Sequence, residues 1–117
     1  MDDFDDYSHS LSDEAEKAVD VVKFGVKSIF ISKNLENSDK IAYLNITTLE
    51  DVSFCVRLTI KGYQVVSDQH DVDNENFKEK HELCAETIDA LVGLISPLYV
   101  QKFSEKLTDK LRCLEEE

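Results

Sequence analysis

At 117 residues, 42% of them hydrophobic, the chain has material for one folded core and too little for two. Its 25 acidic against 13 basic residues give a formal charge of -12, a field that repels phosphate backbones and anionic lipid, so neither nucleic acid nor a membrane is an expected partner. No apolar run approaches the roughly 20 residues that span a bilayer, and the acidic start Met1-Asp2-Asp3-Phe4-Asp5-Asp6 is the reverse of a basic signal segment, so a cytoplasmic or nuclear location is expected.

Residues 1 to 11 form an acidic arm, expected to be mobile. Ser12 can cap a helix whose first turn carries Asp13 and Glu14, where the helix dipole favours negative charge. Ala15, Ala18, Val19, Val22, Val26, Ile29 and Phe30 follow at spacings of three and four, with a single step at Ala18-Val19 and at Ile29-Phe30, which predicts helix 1 as far as Ser32. After a polar connection the period drops to two. Strands are expected at about 41–47, 52–60 and 63–67, with Val52, Phe54, Val56, Leu58 and Ile60 on the inward face of the second and a reversal at Lys61-Gly62.

Asp68 to Asn76 reads as a solvated acidic loop. Helix 2 is expected from about Lys78 to Ile95, with Leu83, Thr87, Ile88, Leu91, Val92 and Ile95 inward. Ser96-Pro97 is the firmest boundary: the serine caps and the proline takes the first helical position, where its missing N–H is not needed. Helix 3 then runs over 97–114, ahead of an acidic tail at 115–117. The expected fold is a single α+β domain over 12–114: a three-stranded antiparallel meander in two layers, order α-β-β-β-α-α. The helices cover one face, and Cys55, Arg57, Thr59 and Gln64 lie on the other, towards solvent.

Chemistry is sparse. His9, His70 and His81 fall in the arm, a polar loop and a helix start, and no acid–base pair or activated nucleophile stands out, so no enzymatic activity is expected. Neither glycine-rich phosphate motif occurs, and no cofactor is expected. His81 and Cys84, at i and i+3 of the expected helix 2, could supply half a zinc site, but nothing brings further ligands to them. Asp71 to Glu82 has the length of a calcium loop but lacks its glycine, Asn76 standing at the sixth position. Cys55, Cys84 and Cys113 cannot all pair within one chain and read as free thiols.

Helix 3 carries the clearest surface signal. Val100, Phe103, Leu107, Leu111 and Leu114 step by three, four, four and three and make one apolar stripe, surrounded by Lys102, Glu105, Lys106, Asp109 and Lys110. Two readings are open: the stripe packs on the domain's own sheet or helix 1, or it enters a partner's hydrophobic groove. The stripe of helix 1 (Val19, Val22, Val26, Ile29) poses the same choice, and a chain this short needs it for a core.

The ordered runs Asp13-Glu14-Ala15-Glu16, Ile29-Phe30-Ile31-Ser32-Lys33, Ile41-Ala42-Tyr43-Leu44-Asn45, Leu58-Thr59, Gly62, Val65-Val66 and Ser96-Pro97-Leu98-Tyr99 resemble the glycogen synthase kinase-3 beta interaction protein family. Its domain also occurs within clustered-mitochondria proteins, which implies a structural or scaffolding domain as the alternative function. The resemblance implies a non-catalytic adaptor that binds glycogen synthase kinase-3 through its C-terminal helix and restrains the kinase. Residues Gln101-Lys102-Phe103, Leu107, Leu111 and Leu114 are also similar to the kinase-binding helix of the scaffold axin, which implies kinase contacts at the stripe. Some vertebrate members resemble A-kinase anchoring proteins, which implies contacts of the helix 1 region (Val19, Val22, Val26, Ile29) with a regulatory subunit of cAMP-dependent protein kinase. Lys23, where those members have an apolar residue, and Gly25 depart from that pattern.

Overall fold

A computed structural model describes residues 11–35, 37, 38 and 40–115, with the backbone alone at 12 and 109–115; the acidic arm up to residue 10 and the last two residues of the acidic tail lie outside the described residues. The expected three-stranded meander is overturned by a five-stranded antiparallel sheet in the order β1-β2-β3-β4-β5. The strands are β1 (Val26–Ile31), β2 (Ala42–Thr48), β3 (Ser53–Thr59), β4 (Gly62–Ser67) and β5 (Cys84–Ala85). The helices are α1 (Leu11–Val22), followed by a 3-10 turn (Lys23–Gly25), α2 (Glu75–Lys80), α3 (Ile88–Ile95) and α4 (Pro97–Glu115).

Both extra strands come from segments expected to be helical. Helix α1 buries Ala15, Ala18 and Val22 on one face, as a spacing of three and four requires. It stops at Val22, and Val26–Ile31 instead pairs with β2, Ile29 opposite Ile46 and Ile31 opposite Leu44. Val26 and Ile29 continue the helical spacing by coincidence. Their β-branched side chains also suit a strand, and long-range pairing overrides a weak local preference. The expected helix 2 divides in the same way. His81 closes α2 by donating its N–H to the Phe77 carbonyl, Cys84–Ala85 pairs with β4, and Thr87 starts α3 by accepting the Ala90 N–H at 3.3 Å. Thr87 is therefore an exposed cap and not an inward residue. His81 and Cys84 share no helix face, which removes the geometry of the zinc alternative.

Ala42, Leu44 and Ile46 of β2, Val56 and Leu58 of β3 and Tyr63 and Val65 of β4 face α1 and α3 and form the core with Ile88, Leu91 and Val92. Val52 and Ile60, expected on this face, fall in turns and are 44% and 93% exposed. Gly62, at φ 118°, closes the β3–β4 reversal, and a Cβ there would lie 2.7 Å from the Ala85 carbonyl oxygen.

The second face of the sheet is not left to solvent, because the acidic loop after β4 folds over it and Cys55 is fully buried. Asp71, at φ 63°, accepts hydrogen bonds from Ser32 Oγ (2.6 Å), Asn45 Nδ2 (2.7 Å) and Asn34 Nδ2 (2.7 Å), and its N–H donates to Asn45 Oδ1 at 2.9 Å. Asp73 accepts from Tyr43 Oη at 2.7 Å and pairs with Lys78 (2.9 Å) and Arg57 (3.5 Å). The hydrogen bonds of Ser32, Asn45 and Asn34 hold the Asp71 carboxyl below its ordinary pKa. Burial works to raise that of Asp73, but the bonds from Lys78 and Tyr43 outweigh it and the net direction is down. Under this cover, burial pushes the Cys55 thiol up to about 11.

Candidate functional site

Helix α4 leaves the domain at a junction that three parts of the chain build together. Ser96 is buried; its Oγ accepts the Tyr99 N–H at 3.0 Å and donates to Glu50 Oε1 at 2.8 Å. Glu50 Oε2 accepts the Leu98 N–H at 2.8 Å. Glu50 belongs to the β2–β3 turn, which Asp51 tightens at φ 69°. A carboxylate at this point satisfies the Leu98 N–H, one of those that the first helical turn leaves without a partner, and it matches the positive end of the helix dipole. Partial burial works against the charged form of Glu50, but the bonds from Leu98 and Ser96 prevail and its pKa falls.

Tyr99 fixes the helix to the body. It is 3% exposed, and its ring packs over Gly25, where a Cβ would lie 2.5 Å from Cδ1 and 2.8 Å from Cε1. Glycine is needed at 25 for this close approach. The Phe24 ring lies tilted against Tyr99 at 5.4 Å between ring centroids, and Phe103, one helical turn further on, stacks on Tyr99 at 6.2 Å.

Beyond that foothold residues 101–108 of α4 are all exposed, and the domain touches them at the Phe24 ring, beside Phe103 and Lys106. Val100, Phe103 and Leu107 present 48%, 39% and 47% of their surface, and Leu98 a further 41%. These large apolar groups are wet although the sheet is already covered by α1 and α3, so they are surplus to the core. Helical backbone continues to Glu115 and carries Leu111 and Leu114 at positions that extend the stripe; their side chains lie outside the described residues.

The four residues singled out on helix 1 are dispersed. Val22 is fully buried and Val26 7% exposed, whereas Val19 and Ile29 are half-buried in a shallow groove of about 600 Å³ shared with Glu16, Asp20 and Lys33. Val26 and Ile29 lie on β1, so the four share no helix face.

Glu50 and Phe24 escaped the sequence reading. Glu50 carries no local signal, because its hydrogen-bond partners are 46 and 48 residues away. Phe24 sat inside an expected helix, and only the Phe24-Gly25 pair hinted at a break. Among the described residues no group of three or more metal-ligating side chains comes together, and no helix is long and apolar enough to cross a membrane.

Residues 11–114 match the family model of the GSKIP domain. The chain is 34% identical over 104 residues to the GSK3B-interacting protein of Bos taurus, covering 89% of this chain and 73% of that one. It is 34% identical over 101 residues to the GSK3B-interacting protein of Homo sapiens, covering 86% and 70%, and 34% identical over 95 residues to the protein GSKIP homolog of Drosophila melanogaster, covering 81% and 78%.

Proposed function

The chain belongs to the GSKIP-domain family, and from that premise we propose that it is a non-catalytic adaptor that binds glycogen synthase kinase-3 through the exposed stripe of α4. The observation that carries this reading is the wet apolar surface at Val100, Phe103 and Leu107 on a helix already anchored by Tyr99 and Glu50. Such a stripe fills a hydrophobic trench with one anchor per turn, and Leu111 and Leu114 complete it. Anchoring the first turn before binding lowers the ordering cost that a free peptide would incur.

Occupying a trench that axin-like scaffolds also use restrains the kinase only towards substrates those scaffolds deliver. No group of this chain needs to reach the nucleotide site. Leu111→Pro tests the reading, since it removes an anchor and breaks the helix at once. The variant is expected to lose kinase pull-down while circular dichroism shows the domain still folded; undiminished pull-down would refute it.

A further inference from the structure

Phe24 stands in the 3-10 turn at the foot of α4, and its ring is partly exposed. The close packing of Gly25 on Tyr99 holds this turn against the helix, so Phe24 has a fixed position relative to the stripe. Its ring centroid is 6.5 Å from that of Phe103. The ammonium of Lys106, an exposed residue, lies over the same ring, 4.2 Å from its centroid.

Phe103 belongs to two rows of the helix. With Val100 and Leu107 it forms the outward stripe, and with Tyr99 and Lys106 it forms the row facing the turn. It is also the least exposed of the three stripe residues, because Phe24 and Tyr99 take part of its surface. A trench that encloses Phe103 therefore meets Phe24 as the next apolar surface, and only a lysine side chain has to move aside.

We infer that Phe24 is itself part of the docking surface, so that the partner reads a composite of the α4 stripe and the 3-10 turn. The inference rests on the kinase-docking reading above. Its occupant is the same apolar kinase trench, reached by continuity with the stripe. A composite surface gives the folded domain a contact that a bare helix of the same sequence lacks.

The test uses the whole chain and purified glycogen synthase kinase-3. Phe24→Ala is expected to weaken binding by roughly tenfold, the usual scale for truncating a buried interface aromatic, and Leu107→Ala is titrated beside it. In parallel, Phe24→p-benzoylphenylalanine is expected to cross-link to the kinase on irradiation, whereas the same photoreactive residue at Ile60, which is 93% exposed on the β3–β4 turn, is not. Wild-type affinity of Phe24→Ala beside a weakened Leu107→Ala overturns the inference and leaves the docking reading standing. Wild-type affinity of both variants overturns the two together. A photoreactive residue at 24 that fails to cross-link also overturns the inference, and this arm decides the matter if Phe24→Ala does not fold.

Discussion

Leu98 donates its backbone N–H to Glu50 Oε2 at 2.8 Å, across 48 residues of sequence, and so ties the first turn of the projecting helix to the β2–β3 turn of the sheet. The second oxygen of the same carboxylate accepts from Ser96 Oγ. The direction in which α4 leaves the domain depends on this one side chain together with the ring of Tyr99.

Glu50→Ala removes the acceptor for Leu98 and the orienting partner of Ser96. A loss of about 0.5–2 kcal/mol of stability is expected, the range for helix-cap removal. Urea denaturation checks it, and hydrogen exchange should show faster opening of the first turn of α4 than in the wild-type protein.

Gly25→Ala places a methyl group against the Tyr99 ring at 2.5 Å, within a contact that cannot yield without moving α4. Overpacking of this kind destabilises by about 1–3 kcal/mol. Tyr99→Phe should behave in the opposite way. The Tyr99 hydroxyl is buried with no hydrogen-bond partner among the described residues, so its removal is expected to leave Tm unchanged or raise it. Thermal unfolding of both variants tests the pair.

Acid should loosen the cover on the second face of the sheet. Asp71 and Asp73 have folded-state pKa values below their unfolded ones. Their stabilising contribution is therefore fully present above the ordinary carboxylate range and is lost as pH falls through the depressed folded values. Glu50 has the same sign. Tm is expected to fall below about pH 4, and Asp71→Asn, which tolerates the positive φ, should flatten that fall. An unchanged slope in Asp71→Asn would show that the carboxylate contributes nothing.

Thiol labelling should separate two cysteines. Cys84 is exposed on β5, while Cys55 is fully buried with its thiol pushed up to about 11. At pH 8 a maleimide is expected to label Cys84 within the mixing time and Cys55 only after unfolding. Mass spectrometry of the digested protein reports both sites.

The legible parts of the sequence were those whose signal is local. Alternation in β3 and the Ser96-Pro97 boundary each specify one element from neighbouring residues, and both elements are present. Strand β1 is hidden because Val26 and Ile29 continue the helical spacing from Val22 while their own β-branched side chains suit a strand, and only pairing with β2 decides between the two. Strand β5 is two residues long, too short for any periodicity to register. The burial of Cys55 followed from Asp71 and Asp73 reaching across the sheet, contacts that span 26 to 39 residues. At the proposed docking surface the stripe is readable from spacing, whereas Glu50 and Phe24 reach it only through the tertiary fold.

The most direct measurement is a calorimetric titration of purified glycogen synthase kinase-3 with the wild-type chain and with Leu107→Asp, a change at a residue that is 47% exposed and outside the core. The account predicts an unchanged Tm for the variant and a loss of binding of at least about a hundredfold, since a carboxylate cannot enter an apolar trench unpaired. Equal affinity of the two proteins for the kinase would contradict it.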